Sequence, residues 1–189
     1  MDKFKVYLRA LEPDDYKTTI KWRNDDEIWS MVVGPKYFVS SEYERQWVLN
    51  AINNKDEIRL GICLKIDAML IGLISIIDID WINRSAGCPA MIGEKKYWGQ
   101  GLATEARLLV LKYAFHERGF ESIRGHVLES NVASLRVLEK CGYKKEGTLR
   151  NAVFKGGRFH DLIVMSILRE EFELIASNFN CDRLKGDKT

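Results

Sequence analysis

The sequence predicts one α+β domain, in which helices and strands share a single core. At 189 residues the chain is long enough for one well-buried core and short for two. Its 46% hydrophobic and 30% charged residues are typical of a globular protein. Short β-rich runs also alternate with helix-like segments that begin at acidic or serine caps and end at glycine.

The N-terminal part predicts a strand followed by a helical region. Residues 5–10 alternate apolar and polar side chains, which indicates a strand. A proline and two acids then favour a helix start at Glu12–Asp15. The expected helical pieces cover about residues 14–23, a short stretch from residue 24, and residues 40 to 51. This region is expected to stand apart from the sheet.

The rest of the chain predicts two hairpins with a central strand and two helices between them. The expected elements are a hairpin of residues 58–66 and 69–79, strands at 86–92 and 122–128, helices at 102–118 and after Asn131, and a hairpin of 143–154 and 158–168. Cys88–Pro89 interrupts the central strand, and a bulge or sheet edge is expected there because proline has no N–H. The domain is expected over residues 1–172, with a loose tail at 173–189.

A glycine turn at residues 91–106 joins an apolar run directly to a helix. Gly99 and Gly101 allow positive φ, and the following helix start leaves N–H groups without partners. Such a loop favours an anion. No Lys-Ser or Lys-Thr follows the glycines, so the loop is not a nucleotide triphosphatase P-loop, and it matches the dinucleotide fingerprint only weakly. A plain turn is the remaining alternative.

A second motif lies downstream at Asn131–Gly147, a capped helix that ends at glycine and leads into a strand. Together with Trp98–Ala106, it resembles the GCN5-related N-acetyltransferases (GNAT), in the branch of the ribosomal-protein N-terminal and spermidine acetyltransferases. The resemblance runs from about Leu8 to Phe172. It implies the GNAT fold, a mixed, mostly antiparallel sheet of six to seven strands flanked by helices. In that fold the central strands splay apart and their freed amides contact the cofactor.

The resemblance implies transfer of an acetyl group from acetyl-CoA to a primary amine by direct attack in a ternary complex. The residues it places against the cofactor are Met91, Ile92, Gly93, Gln100, Gly101, Leu102, Ala103, Thr104, Asn131 and Ser134. Amides of residues 100–104 would hold the pyrophosphate, and an N–H of the strand ending at Ile92 would polarise the thioester. Asn131 would bond the pantetheine arm, although plain N-capping explains it equally well.

The resemblance leaves the groups that transfer protons unsettled. Trp98 stands where family members often have Arg or Gln, and Lys95 or Lys96 is expected to supply charge instead. Leu138 replaces a family tyrosine, so Ser134 is the candidate general acid, with a structural role as the alternative. Val153 replaces the glutamate base of the ribosomal-protein enzymes. The remaining candidates for the base are Asp80, Glu129, His126, His160 and ordered water.

Composition argues against several classes of partner. A net charge of +2 gives no reason to expect nucleic acid or a membrane surface, and the longest apolar run is too short for a bilayer. The N-terminus lacks a secretory signal, so a cytoplasmic protein is expected. The cysteines and histidines are too scattered for a metal site, and reduced thiols are expected at Cys63, Cys88, Cys141 and Cys181.

The sequence leaves more than one acceptor and more than one function open. Acids outnumber bases in the helical region, which would attract a cationic amine, but acids also simply suit helix starts. They are Glu12, Asp14, Asp15, Asp25, Asp26, Glu27, Glu42 and Glu44. A small-molecule or peptide amine is the expected partner. A CoA-binding sensor without turnover and a nicotinamide or flavin enzyme are the alternative functions, and a homodimer through the last hairpin is left open.

Overall fold

The computed structural model describes residues 3–176, which form one mixed sheet flanked by helices. The strands are β1 (Val6–Ala10), β2 (Ile58–Leu64), β3 (Leu70–Asp80), β4 (Ser85–Gly87), β5 (Ala90–Ile92), β6 (Ser122–Leu128), β7 (Lys144–Lys155) and β8 (Arg158–Leu168). The helices are α1 (Tyr16–Arg23), α2 (Asp26–Met31), α3 (Ser41–Asn53), α4 (Leu102–Lys112), α5 (Val132–Lys140) and α6 (Arg169–Ala176). The predicted elements are therefore present in the predicted order.

The sheet is mostly antiparallel, as predicted. Its order is β1-β2-β3-β4-β6-β8-β7, and β5 pairs with β3 beside this path. Within residues 3–176 the only parallel pair is β4 with β6. The sheet has 8 strands where six to seven were expected. Pro89 accounts for the difference, because it divides the predicted central strand into β4 and β5.

The main core lies between the sheet and helices α4, α5 and α6. Helix α4 contributes an apolar stripe, and its C-terminal end passes into a π-helical turn at Tyr113–Glu117. Gly119, with φ of +72°, ends this segment. Phe172 and Ala176 of α6 are buried in the same core. Helix α6 thus covers residues 173–176 of the region predicted as a loose tail. Residues 177–189, with Cys181, lie outside the described part.

Helices α1, α2 and α3 form a wall beside the sheet, with a smaller apolar cluster beneath them. Trp22, Ile28, Cys63 and Leu70 are buried in this cluster. The Trp22 ring lies directly on Gly93, where a Cβ atom would come within 2.0 Å of Cδ2 of the indole. Glycine is therefore required at this contact. No helix in the described range is long and apolar enough to span a membrane.

We expect Gly93→Ala to lower the free energy of unfolding by about 1–3 kcal/mol, because the added methyl group overlaps a buried indole. Gly147→Ala is the matched control, since a Cβ there meets nothing within 4 Å. Its effect should stay within about 0.5 kcal/mol. Urea denaturation of both variants measures the difference. Equal stabilities would show that Trp22 does not pack on Gly93 in solution.

Candidate active site

The glycine loop presents unpaired backbone donors at the start of α4. Gly99 and Gly101 have φ of +74° and +81°, and a Cβ at either position would meet open space. None of the N–H groups of Gln100, Gly101, Leu102 and Ala103 donates a hydrogen bond within residues 3–176. The N–H of Thr104 donates to the Gly101 carbonyl at 3.0 Å. The loop therefore offers clustered donors to an anion, with Thr104 already engaged.

The central strands splay apart beside this loop, as predicted. The bond from the Cys88 N–H to the Arg124 carbonyl, at 2.9 Å, extends the pairing of β4 with β6 to its last residue. After Pro89 the chain continues as β5, which pairs only with β3. A gap, called here the β5–β6 gap, thus opens towards the glycine loop.

Backbone groups of β5 line this gap. The N–H of Gly93 donates to the Ile71 carbonyl at 2.8 Å, and Met91 lies opposite Leu73 in the same ladder. Because N–H groups alternate in direction along a strand, those of Ala90 and Ile92 point away from β3 and into the gap. Trp98 reaches the same edge, since its indole N–H donates to the Ile92 carbonyl at 2.8 Å. Of Met91, Ile92 and Gly93, which were predicted to contact the cofactor, only Ile92 has an N–H that is free to do so. Ala90 also has such an N–H, and the sequence did not predict it.

Asn131 and Ser134 lie at the N-terminus of α5. The Asn131 side-chain oxygen accepts the Ser134 N–H at 3.0 Å, and its nitrogen donates to the Met31 carbonyl at 2.9 Å. Asn131 therefore caps α5 and also ties it to the end of α2. Ser134 is half-buried, and its hydroxyl makes no hydrogen bond within the described range. That hydroxyl is available to a ligand.

Neither family proton-transfer position carries a titratable group. Leu138 is buried against Gly125 of β6, and Val153 pairs with His160 across the last hairpin. His160 lies within 3.1 Å of the Lys155 carbonyl through Nε2. Asp80 accepts two hydrogen bonds from Asn83, which hold the pKa of its carboxyl below the usual range. These contacts support the turns in which His160 and Asp80 lie.

Side-chain contacts fasten the helical wall to the glycine loop. The Trp22 indole donates to a Glu94 carboxylate oxygen at 3.1 Å. Lys95 forms ion pairs with Asp25 and Glu27, each at 2.9 Å, and its hydrogen bond lowers the pKa of the Asp25 carboxyl. Lys95 is therefore engaged by two carboxylates, and its expected role near a phosphate stays a prediction. Lys96 is exposed and makes no ion pair within residues 3–176.

The acids of the helical wall are largely neutralised by bases of the same chain. Besides the pairs with Lys95, the wall contains the ion pairs Arg9–Asp15, Lys17–Asp14, Arg23–Glu44, Lys36–Asp26 and Arg45–Glu42. Glu44 is completely buried in its pair. Most of the acids named for the predicted wall thus have a basic partner, and Glu12 makes no ion pair within residues 3–176.

The sequence reading missed Arg107, a buried cation close to the gap. Its side chain is 5% exposed, and Nη1 donates to the Cys88 carbonyl at 2.7 Å. Nη1 also lies 3.4 Å from the Tyr143 hydroxyl, while Nε has no partner. The sequence did contain a sign of this residue, because a charged side chain between Ala106 and Leu108 interrupts the apolar stripe of α4.

The family assignment follows from comparison with known proteins. The acetyltransferase (GNAT) domain model matches residues 5–144, so the chain belongs to the GNAT acetyltransferase family. A SPbeta prophage-derived uncharacterized N-acetyltransferase, YokL of Bacillus subtilis, is 35% identical over 167 residues, covering 88% of this chain and 92% of that protein. The putative ribosomal N-acetyltransferase YdaF of the same species is 33% identical over 107 residues, 57% of this chain and 58% of its own length.

A solved structure supports the same conclusion. The spermidine N-acetyltransferase from Vibrio cholerae, in complex with CoA and spermine, superposes with a TM-score of 0.83 at 28% identity. The match covers 89% of this chain and 98% of that one. The chain is thus an N-acetyltransferase that uses acetyl-CoA, and the unpaired amides of the glycine loop and the gap suit that cosubstrate.

The dinucleotide-enzyme alternative is wrong, since the sheet is mostly antiparallel. Within residues 3–176 no cluster of potential metal ligands occurs.

We expect Gly101→Ala to weaken acetyl-CoA binding by tenfold or more, because a residue with a Cβ resists the left-handed conformation that directs the loop amides. Gly157→Ala is the matched control. It has the same φ of +81° and open surroundings, but lies in the β7–β8 turn. Both variants should lose about 1–2 kcal/mol of stability, and only the first should lose affinity by calorimetry. If Gly101→Ala and Gly157→Ala bound acetyl-CoA equally well, the glycine loop would not be part of the acetyl-CoA site.

Proposed function

We propose that the chain catalyses direct attack of a primary amine on the thioester of acetyl-CoA within a ternary complex. The observation that carries this proposal is the β5–β6 gap, with unpaired amides along one side and the glycine loop at its mouth. Such a gap accepts an extended arm with amide groups, and the loop accepts the anion at the end of that arm. The N–H groups belong to β5, to the glycine loop and to the first turn of α4.

In this proposal, backbone groups of the protein hold acetyl-CoA, the acetyl donor. The pyrophosphate lies on the N–H groups of Gln100 to Ala103, where the start of α4 adds its dipole. The N–H of Ile92 donates to the pantetheine arm, and the N–H of Ala90, nearer the closed end of the gap, donates to the thioester oxygen, where negative charge develops during attack. Asn131 contributes the second proton of its side-chain nitrogen to the pantetheine arm, because the first is donated to Met31.

The proton transfers rely on few groups. Ser134 protonates the departing sulfur, since its hydroxyl is half-buried and unpaired at the first turn of α5. Water removes the proton of the amine, because Val153 stands in place of the family base and carries no titratable group. An acceptor that is already neutral in part is therefore favoured. An α-amino group has a pKa of about 8, against about 10 for a lysine-like amine, so a far larger fraction is neutral at pH 7.

This reasoning makes the N-terminus of a peptide the preferred acceptor. Polyamines are the second candidate, because the matched structure from Vibrio cholerae contains spermine. The paired acids of the helical wall favour the first, since two or more ammonium groups would need unpaired carboxylates. A cytoplasmic location and a homodimer through the exposed edge strand β7 remain part of the proposal.

An amine panel with detection of released CoA thiol tests the function. Short peptides with a free N-terminus should give higher kcat/KM than spermidine or an amino sugar. The rate should rise with pH up to about 8, following the neutral fraction of the acceptor amine, because water is the proposed base. A tenfold preference for spermidine would instead assign polyamines. No thiol release with any amine, despite CoA binding, would favour the alternative of a CoA-binding sensor.

Replacement of Ser134 tests the general acid. We expect Ser134→Ala to lower kcat by tenfold or more with unchanged acetyl-CoA affinity, because the hydroxyl acts only as the sulfur departs. Ser130→Ala removes an exposed hydroxyl from the turn before α5 and should leave both constants unchanged. Steady-state kinetics and calorimetry measure the two effects. An unchanged kcat in Ser134→Ala would make that serine a structural residue.

A further inference from the structure

Arg107 is a buried positive charge without an acidic partner. Its side chain is 5% exposed, and no carboxylate pairs with it anywhere in residues 3–176. An arginine stays protonated even when buried. An unpaired buried charge is costly, and such charges are normally paired with an opposite charge. Within residues 3–176 this buried cation therefore has no negative partner, and its contacts are to neutral groups.

The groups around the guanidinium are all neutral at physiological pH. They are Cys88 at the end of β4, Cys141 after α5, and Tyr143 before β7. Burial raises the pKa of the Cys88 thiol and of the Tyr143 phenol, and raises that of Cys141 to about 12. The contacts of Arg107 are a carbonyl and a phenol, and its Nε–H has no partner. One donor of the cation is thus unused.

The position of Arg107 relates this charge to the β5–β6 gap. Its Nη1 bonds the Cys88 carbonyl, and Cys88 is the residue at which pairing with β6 ends. The guanidinium therefore lies at the closed end of the gap. Along α4, Arg107 is six residues beyond Gly101, or about 9 Å at 1.5 Å per residue. One helix thus presents free amides at the mouth of the gap and a positive charge deeper along it.

We propose that Arg107 stabilises the negative charge that forms on the sulfur of CoA as the thioester breaks. The inference rests on the proposed function. In that step the N–C bond to the amine forms and the C–S bond breaks. The electron pair of the broken bond goes to sulfur, and the proton of the amine goes to water. A fixed cation in a site shielded from water favours such an anion.

This assignment explains how the chain functions with Leu138 in place of a phenol. A sulfur that leaves as a stabilised thiolate needs no strong acid beside it. The Ser134 hydroxyl hydrogen-bonds the departing sulfur and passes to it a proton taken from water, so that the serine is restored. Arg107 acts through its charge across the gap, and the bond to Cys88 fixes where that charge lies.

The ionisation of bound CoA tests the proposal directly. Free thiols of this type have a pKa of about 8.5. In the wild-type complex we expect the CoA thiol to ionise at a pH at least one unit lower, a tenfold or larger change in the equilibrium. Thiolate absorbance of the CoA complex is followed between pH 5 and 10. The complex with desulfo-CoA serves as the blank and subtracts the protein's own cysteines.

Three variants separate the charge of Arg107 from its packing. Arg107→Met should return the bound thiol to the pKa of free CoA and lower kcat tenfold or more, while acetyl-CoA still binds. Arg107→Lys keeps a charge and should retain part of the shift. Arg169→Met is the matched control, because Arg169 also donates to a backbone carbonyl, that of Phe120, away from the gap. It should leave the thiol pKa unchanged.

Each outcome decides the proposal. A wild-type complex whose CoA thiol ionises as in free CoA would overturn it without any variant, even if Arg107→Met fails to fold. An Arg107→Met protein that keeps the lowered thiol pKa would also overturn it, and the proposed function would stand. Failure of the wild-type protein to bind CoA would overturn the proposed function and the role of Arg107 together.

Discussion

The loss of strand pairing after Cys88 is the constraint on which the rest of the site depends. Pro89 has no N–H, so the parallel ladder between β4 and β6 cannot continue through it. The chain turns to β3 alone, and the N–H groups of Ala90 and Ile92 are left without partners. A ligand that accepts hydrogen bonds along this edge would pair these N–H groups, which makes the gap the proposed binding site.

Side-chain packing and ion pairs join the helical wall to the glycine loop. Trp22 packs on Gly93 and donates to Glu94, while Lys95 pairs with the acids at the start of α2. These contacts hold the wall against the segment that precedes the loop. Asp25 and Glu27, two acids of the predicted acidic wall, are used in this connection. Under the proposed function, acceptor selection therefore depends mainly on shape and on the protonation of the amine.

Local features of the fold were predictable from the sequence because their causes lie within a few residues. The Ser40 side chain accepts the Tyr43 N–H at 3.1 Å, as a helix cap should, and Asn131 does the same for Ser134. The Gly156–Gly157 turn joins β7 to β8 with positive φ at both residues. The break at Pro89 was also expected, although its effect on the strand count was not.

The parts that escaped prediction depend on residues far apart in the chain. Glu94 and Trp22 are 72 residues apart, and Arg107 lies 19 residues from the carbonyl it bonds. The carboxylate of Glu105 accepts the N–H of Lys5, 100 residues away, at 2.7 Å. Such partners follow from how α1 and α4 pack on the sheet. Composition therefore suggested an acidic wall, whereas the fold pairs those acids with bases.

A crystal structure with bound CoA tests the central claim most directly. The account predicts the diphosphate on the N–H groups of Gln100 to Ala103, with the pantetheine arm in the β5–β6 gap and hydrogen-bonded to Ile92. Phosphates bound elsewhere, or a gap closed by pairing of β5 with β6, would contradict it.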